Sequence, residues 1–477
     1  MESSDKKSFD SINPSTGKVW STIPEATQQD VEQAVESAQN AFESGPWSKM
    51  TPTERGECLR NLGTLLSENS ELLGKIESID TGKMLKETRW QAKYISQFFN
   101  FFAGCADKVH GETLPIDKPD LFVFTTREPL GVIAAIVPWN SQLFLVAVKI
   151  GPALAAGNTI VLKASEHASA AMLEFGKLID QAGFPKGVVS IVTGDSDNCA
   201  IPLTSHPGID RIAFTGGTET AKKIIKNSAN NFAATNLELG GKSPLVIFDD
   251  ADIESAANGI IAGNFGASGQ SCVAGSRVIV QKNISSKLKD LIKQKSENII
   301  VGNPLDPKTN LGPLCTSKQI EIIENTINKS VSQGAEIIFG GKKIEKEGNY
   351  FEPTLIYCPH RDIETLKIEM FGPVISLIEF DSEEDAIDLA NDSEYGLGSG
   401  LFTKDLSRAH RVSKEIKAGI CWINTYRVIS PIAAFGGFNQ SGYAREAGKQ
   451  SILDYTRTKT TWINTSDEPM KNPFVMR

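Results

Sequence analysis

The feature that most constrains this chain is the stretch from Leu130 to Ser228, where short, wholly apolar runs alternate with amphipathic ones. Gly131–Val137, Thr159–Lys163, Val188–Thr193 and Arg211–Thr215 have the length and content of buried strands. Between and after them, Leu143–Ala156, Ala168–Ala182, Cys199–Ser205 and Thr218–Ser228 read as helices. Strands buried on both faces show no inward–outward alternation, so this rhythm predicts a parallel sheet covered by helices on both sides. Such doubly wound sheets bind ligands beyond the carboxyl ends of their strands, and those ends are where chemistry is sought.

A second α/β series follows, with strands expected at Leu245–Phe248, Arg277–Val280, Val374–Phe380, Ser399–Phe402 and Ile420–Asn424, and helices such as Ile253–Ala262 and Glu383–Ala390 between them. Upstream, Asn13-Pro14-Ser15-Thr16-Gly17 reads as a turn between extended segments. Thr27 with Asp30 forms a capping box, and Val31, Ala34, Val35, Ala38 and Phe42 make one helical stripe. Pro52 opens a long, interrupted helix, and Trp90 to Phe102 is an aromatic-rich core helix. Leu121–Thr126 and the tail Tyr455–Ile463 read as exposed strands; an unpaired edge is a liability, which favours oligomerisation through them.

Composition narrows the function classes. A net charge of −9, with no basic cluster, disfavours nucleic acid as the main partner. Seven scattered cysteines without a CxxC pair argue against a disulfide framework or structural zinc. The first residues lack the apolar core of a secretory signal, and no apolar run is long enough to span a bilayer. The expectation is a cytoplasmic protein of two to four domains.

Three strand ends carry candidate chemistry. Pro138-Trp139-Asn140 places an amide where it can donate to an oxyanion, or simply form a turn. Lys163-Ala164-Ser165-Glu166 offers a lysine and a carboxylate for ribose hydroxyls, or an ordinary helix start. Phe214-Thr215-Gly216-Gly217-Thr218 joins a strand to a helix with glycines that let backbone N–H groups face a phosphate. The cluster Gly396-Leu397-Gly398-Ser399-Gly400 is assigned to a turn before a strand. Further on, Gly269-Gln270-Ser271-Cys272 sets a thiol behind small, flexible residues, and Glu238 stands between an apolar run and a glycine pair. A thiolate attacks carbonyl carbon readily, and Glu238 is the candidate base. The remaining cysteines read as apolar filler.

With Glu369-Met370-Phe371-Gly372-Pro373-Val374 and Phe435-Gly436-Gly437 added, these motifs stand in an order that closely resembles the NAD(P)-dependent aldehyde dehydrogenase superfamily, from Asn13 to about Thr461. The resemblance implies an α/β fold: a Rossmann-type cofactor domain (1–110 and 129–240), a second α/β catalytic domain (241–440) and a β oligomerisation arm (111–128 and 441–477). It implies that Cys272 forms a thiohemiacetal and then a thioester, that Asn140 holds the oxyanion, and that Glu238 activates the hydrolytic water. Lys163 joins them in the catalytic set, and Lys242 supports it. Pro138, Trp139, Lys163, Ser165, Glu166, Phe214, Thr215, Gly216, Gly217, Thr218, Leu239, Glu369 and Phe371 are the implied cofactor contacts. Ser141, Leu145, Val148, Ser271, Val273, Arg427 and Phe435 are the implied substrate tunnel, with Arg427 as a candidate ligand for a substrate carboxylate or carbonyl.

Glu166 on an adenosine 2′-hydroxyl favours NAD, while Lys163 still admits NADP. Gly217, Ala164, Thr220-Ala221 and Ala434 depart from common family residues without removing a group the chemistry requires. The implied substrate is a small, weakly polar aldehyde and the assembly a homodimer or homotetramer. The rival readings are a coenzyme A-acylating semialdehyde dehydrogenase, whose subgroup generally lacks the glutamate base, a cysteine hydrolase, and a non-catalytic binding protein.

Overall fold

The structure is a computed structural model that describes residues 3–469 and 474; the ends of the first and last expected segments, 1–2, 470–473 and 475–477, lie outside the described residues. Six strands form one sheet in the order Gly442–Tyr443, Ala234–Leu239, Arg211–Gly216, Val132–Ile136, Thr159–Lys163, Val189–Val192. Every neighbouring pair is parallel except Gly442–Tyr443, which lies antiparallel to Leu237 and Glu238. From Val132–Ile136 the chain winds outward to Val189–Val192, then returns to the other side at Arg211–Gly216. That reversal leaves a crevice beyond the carboxyl ends of Val132–Ile136 and Arg211–Gly216.

Seven strands form the second sheet: Glu336–Phe339, Thr354–Tyr357, Val374–Phe380, Arg277–Gln281, Pro244–Ile247, Gly398–Phe402 and Ile420–Ile423. Only the first pair is antiparallel. The glycines assigned to a turn lie partly inside this sheet, because the strand begins at Gly398. A β-carbon at Gly400 would sit 2.6 Å from Leu245 and 2.8 Å from Tyr426, so close packing within the sheet explains the glycine.

The two sheets meet with opposite ends facing. Ala234–Leu239 leaves the first sheet at its carboxyl end, and Gly240-Gly241-Lys242-Ser243 carries the chain into the amino end of Pro244–Ile247. Cys272 lies on the segment entering Arg277–Gln281, and Glu369 to Phe371 on the segment entering Val374–Phe380. Residues from the amino edge of one sheet are thus laid against the ligand-binding edge of the other.

Helices build the flank of the first sheet. The capping box of Thr27 and Asp30 is present, and Val31, Val35 and Ala38 are buried beneath it. The long leucine-rich helix is two, Pro52–Glu68 and Ser70–Thr81, broken at Asn69. Helix Leu85–Cys105 buries Phe98, Phe99 and Phe102 against Gln142–Ala156; fully buried side chains of this size contribute about 1.5–3 kcal/mol each. The tail strand Thr456–Asn464 finds a partner within its own chain, pairing antiparallel with Leu121–Pro129. It nevertheless remains the outer strand of that three-stranded sheet, with Trp462 and Ile463 exposed.

Candidate active site

Cys272 is presented by an unusual turn. Helix Ile253–Phe265 ends at Gly266, and Ala267, Ser268 and Gly269 follow with φ of 52°, 56° and 75°. Left-handed backbone costs a residue with a side chain roughly 1–2 kcal/mol, so the surroundings must hold it. They do so polar group by polar group. Glu87 accepts from the Ala267 N–H at 3.2 Å, Ser268 donates to the Gly312 carbonyl at 2.8 Å, and Gln270 accepts from the Cys315 N–H at 2.8 Å. A β-carbon at Gly269 would fall 2.1 Å from the Gly372 carbonyl oxygen, so the Cys272 turn packs directly on the loop that carries Glu369 and Phe371.

Asn140 arrives from the first sheet. It is buried, and its side-chain amide donates to the Gln270 carbonyl at 3.0 Å, two residues before Cys272. Glu238 comes from the neighbouring strand Ala234–Leu239, with both carboxylate oxygens buried and unbonded among the described residues. A β-carbon at Gly436 would sit 2.7 Å from Glu238 Oε1, so this glycine lets the loop after Phe435 close over the carboxylate. Thiol, amide and carboxyl, widely separated in sequence, are thereby brought to one locus.

Its electrostatics favour protonated resting forms. Burial, then the charges of Glu369 and Glu238, push the half-buried Cys272 thiol up to about 12, while Arg427 opposes them. Burial and then the nearby Glu446 carboxylate hold Glu238 well above the usual carboxylate range, against Lys149 and Arg445. A thiol of this kind reacts only when its proton is lost as the sulfur attacks, and a carboxylate with raised basicity is suited to take a proton from water in the later hydrolytic step.

Two participants were missed by sequence reasoning. Lys149 and Glu446 form a buried ion pair, 297 residues apart, beside Glu238. The only signal was a lysine inside the apolar helix Gln142–Ala156; its partner comes from the far end of the chain. Replacing Glu446 by glutamine removes a negative charge that raises the Glu238 pKa and leaves Lys149, which lowers it, unpaired. Both changes act in one direction: the acid limb of the kcat–pH profile moves to lower pH. Breaking the pair also costs about 3–5 kcal/mol of stability. A pH titration of kcat with a melting curve checks both, and an acid limb moving upward contradicts the assignment.

The implied cofactor contacts cluster at the crevice. Pro138 and Trp139 follow the strand Val132–Ile136, and Trp139 meets Phe371 edge-to-face at 5.4 Å. Lys163, at the end of its strand, pairs with Glu166 at 3.0 Å, and Ser165 is buried behind them, accepting from the His167 N–H at 3.3 Å. Phe214 and Leu239 are buried; Gly216 lies over the Phe214 ring. Thr218 opens the helix Thr218–Ser228 and donates to the Gln440 carbonyl at 3.3 Å. Glu369 accepts from the Gly241 N–H at 3.0 Å, and burial pushes its pKa up to about 7. Lys242 is buried behind it without a bonding partner for its ammonium among the described residues, and burial and then Arg277 push its pKa down to about 7.

Residues present here fit a dinucleotide. A β-carbon at Gly217 would meet only open space at the helix N-terminus, leaving room for a phosphate, and Thr215 Oγ1 is buried without a partner at the same edge. Lys163 and Glu166 together present a donor and an acceptor suited to hydroxyls.

The implied tunnel residues differ in exposure. Leu145, Val148 and Val273 are buried; Ser141, Ser271, Arg427 and Phe435 are half-buried. Arg427, with φ of 62°, donates to the Ala262 carbonyl at 3.0 Å, so part of its guanidinium secures its own loop. Tyr94 anchors that loop as well, donating to the Ile429 carbonyl at 2.9 Å from the aromatic helix.

Comparison with known proteins agrees with this geometry. The family model described as the aldehyde dehydrogenase family matches residues 1–461. A (Z)-2-((N-methylformamido)methylene)-5-hydroxybutyrolactone dehydrogenase from Acinetobacter baylyi is 50% identical over 98% of this chain and 96% of its own. Among solved structures, betaine aldehyde dehydrogenase from Staphylococcus aureus in complex with NAD+ is 38% identical, with a TM-score of 0.97 over 100% of this chain and 95% of that one. PnpE from Pseudomonas sp. WBC-3 with nicotinamide adenine dinucleotide gives 38% and 0.96, over 99% and 97%. The matches span 95–97% of these relatives' own chains, and the fold that brings Cys272, Asn140 and Glu238 together is shared by NAD-bound relatives: this chain belongs to the aldehyde dehydrogenase family.

Proposed function

We propose that the chain oxidises a small aldehyde to its carboxylic acid by covalent catalysis at Cys272. The observation that carries this is Glu238, a buried carboxyl with no hydrogen-bond partner among the described residues, whose charge is felt by the Cys272 thiol. Cys272 Sγ adds to the aldehyde carbon while its proton passes through water to solvent. The Asn140 amide and the Cys272 backbone N–H hold the oxygen of the thiohemiacetal, each such donor being worth about 3 kcal/mol. NAD bound at the crevice supplies the acceptor for the hydride that leaves this carbon. The resulting thioester stays on Sγ until water, deprotonated by Glu238, displaces the acid and returns the thiol. Lys163, Glu166 and Glu369 bind ribose hydroxyls, and Trp139 and Phe371 pack the nicotinamide end.

NAD is preferred to NADP, because Glu166 would face a 2′-phosphate with like charge even though Lys163 partly offsets it. The test follows reduced nicotinamide over a panel of aldehydes with each cofactor. Expected are oxidation of at least some members and a kcat/KM higher with NAD; a clear NADP preference overturns the cofactor assignment, and no turnover with either overturns the reading.

Cofactor binding belongs to 1–110 and 129–240, catalysis to 241–440, and assembly to 111–128 and 441–477. The outer strand Thr456–Asn464, with Trp462, Ile463 and the neighbouring Phe122 exposed, supports a homodimer or homotetramer, which a sedimentation mass of a single chain would contradict. All seven cysteines are free, which supports a reducing, cytoplasmic setting, and among the described residues no helix is long and apolar enough to cross a membrane.

The hydroxybutyrolactone named for the Acinetobacter relative extends this reading to substrate class. A 5-hydroxylactone is the ring form of an aldehyde bearing an acid, so an oxygen-rich aldehyde is the class to which this chain is assigned.

A further inference from the structure

Beside the tunnel stands a cation that the reaction does not use. Lys83 closes the helix Ser70–Thr81 through the turn at Gly82 and is almost wholly buried. Its ammonium donates to Ser141 Oγ at 2.8 Å and to Gln91 Oε1 at 2.7 Å, both neutral acceptors. No carboxylate lies within ion-pair distance of it among the described residues, although Glu77 and Glu87 are near enough to act on its charge. Glu87 is turned to the Ala267 N–H. Glu77 is fully buried with neither oxygen bonded to a side chain, and the Gln142 backbone N–H, at the start of the helix after Ser141, favours its charged form. The Gln142 side-chain amide is also fully buried, with neither its oxygen nor its nitrogen partnered among the described residues. Arg427 adds a second positive charge that acts on both Lys83 and Cys272.

We propose that Lys83 and Ser141, backed by the charge of Arg427, form a subsite for a substrate carboxylate, so that the enzyme selects an aldehyde that also carries an acid group. In this assignment Ser141 forms the tunnel wall, and an oxygen entering there meets the hydroxyl that the Lys83 ammonium already holds at 2.8 Å. An ammonium has three donors, and two are engaged, leaving one for an incoming carboxylate oxygen while Ser141 supplies a hydroxyl. Buried charge is retained where something pairs with it; Glu77 and Glu87 act on Lys83 from beyond ion-pair distance, and a carboxylate in direct contact is what it lacks among the described residues. The assignment rests on the aldehyde dehydrogenase reading above and adds the group recognised and the residues that recognise it.

The test compares 4-oxobutanoate and 5-oxopentanoate with their methyl esters, using NAD and following its reduction. Wild-type enzyme is expected to favour an acid over its ester in kcat/KM. Lys83→Met is expected to lower that acid-to-ester ratio by about 10–100-fold, chiefly through KM, as loss of a charge-assisted hydrogen bond requires. A purely structural role would depress acid and ester together and leave the ratio in place. Should Lys83→Met fail to fold, Ser141→Val is read by the same ratio and is expected to lower it about tenfold. An ester used as well as its acid by wild-type enzyme, or a ratio unmoved in the folding variant, overturns the subsite. Absence of turnover on every acid, ester and plain aldehyde instead overturns the dehydrogenase reading itself.

Discussion

Cys272→Ala is expected to abolish aldehyde oxidation, lowering kcat by about 10⁴-fold or more, because it removes the sulfur to which the covalent adduct is assigned. The substitution deletes one half-buried sulfur atom and leaves the turn from Ala267 to Gly269, with its bonds to Glu87 and Gly312, unaltered. The dinucleotide contacts proposed at Lys163, Glu166 and Gly217 come from the other sheet, so NAD affinity is expected to stay within a few-fold of wild type. Calorimetric titration with NAD beside the activity assay separates the two. Oxidation persisting within tenfold of wild type would remove Cys272 from the mechanism.

Glu238→Gln is expected to act later in the cycle. Glutamine keeps the shape but cannot take a proton from water, so thioester hydrolysis should slow by about 10²–10⁴-fold. Rapid mixing with aldehyde and NAD should show reduced nicotinamide released up to one equivalent per site, then a slow steady state. A steady state as fast as wild type would reassign the base. Stability should change in the opposite sense. A carboxyl whose folded pKa is raised is disfavoured in its charged form, so its penalty is absent below the unfolded value of 4.5 and grows as pH rises toward the folded value. Wild-type enzyme should therefore lose stability relative to Glu238→Gln as pH rises through that window.

Much of this architecture is legible in the chain because it rests on local physics. Val132–Ile136, Thr159–Lys163 and Arg211–Gly216 are apolar on both faces and announce a covered parallel sheet. Thr27 and Asp30 announce a helix start by their own hydrogen bonds. Ala234–Leu239 is harder to read, since its charged Glu238 and polar Asn236 are buried for reasons other than packing. What stays hidden is pairing over long separations. Nothing near Lys149 points to Glu446, and nothing near Gly241 shows that its N–H will be received by Glu369, 128 residues away. The tail strand illustrates the same limit: its exposed alternation signals an edge, but the partner Leu121–Pro129 is disclosed only by the fold. Arg427 looked free to bind substrate, whereas its guanidinium is partly engaged by the Ala262 carbonyl.

The central claim is that an acyl group passes through the sulfur of Cys272. Its most direct test is mass spectrometry of Glu238→Gln quenched in acid after mixing with aldehyde and NAD. The account predicts an adduct with the mass of the aldehyde less two hydrogens, on the peptide containing Cys272. Unmodified protein after a full equivalent of nicotinamide has been reduced, or the acyl group on any other residue, would contradict it.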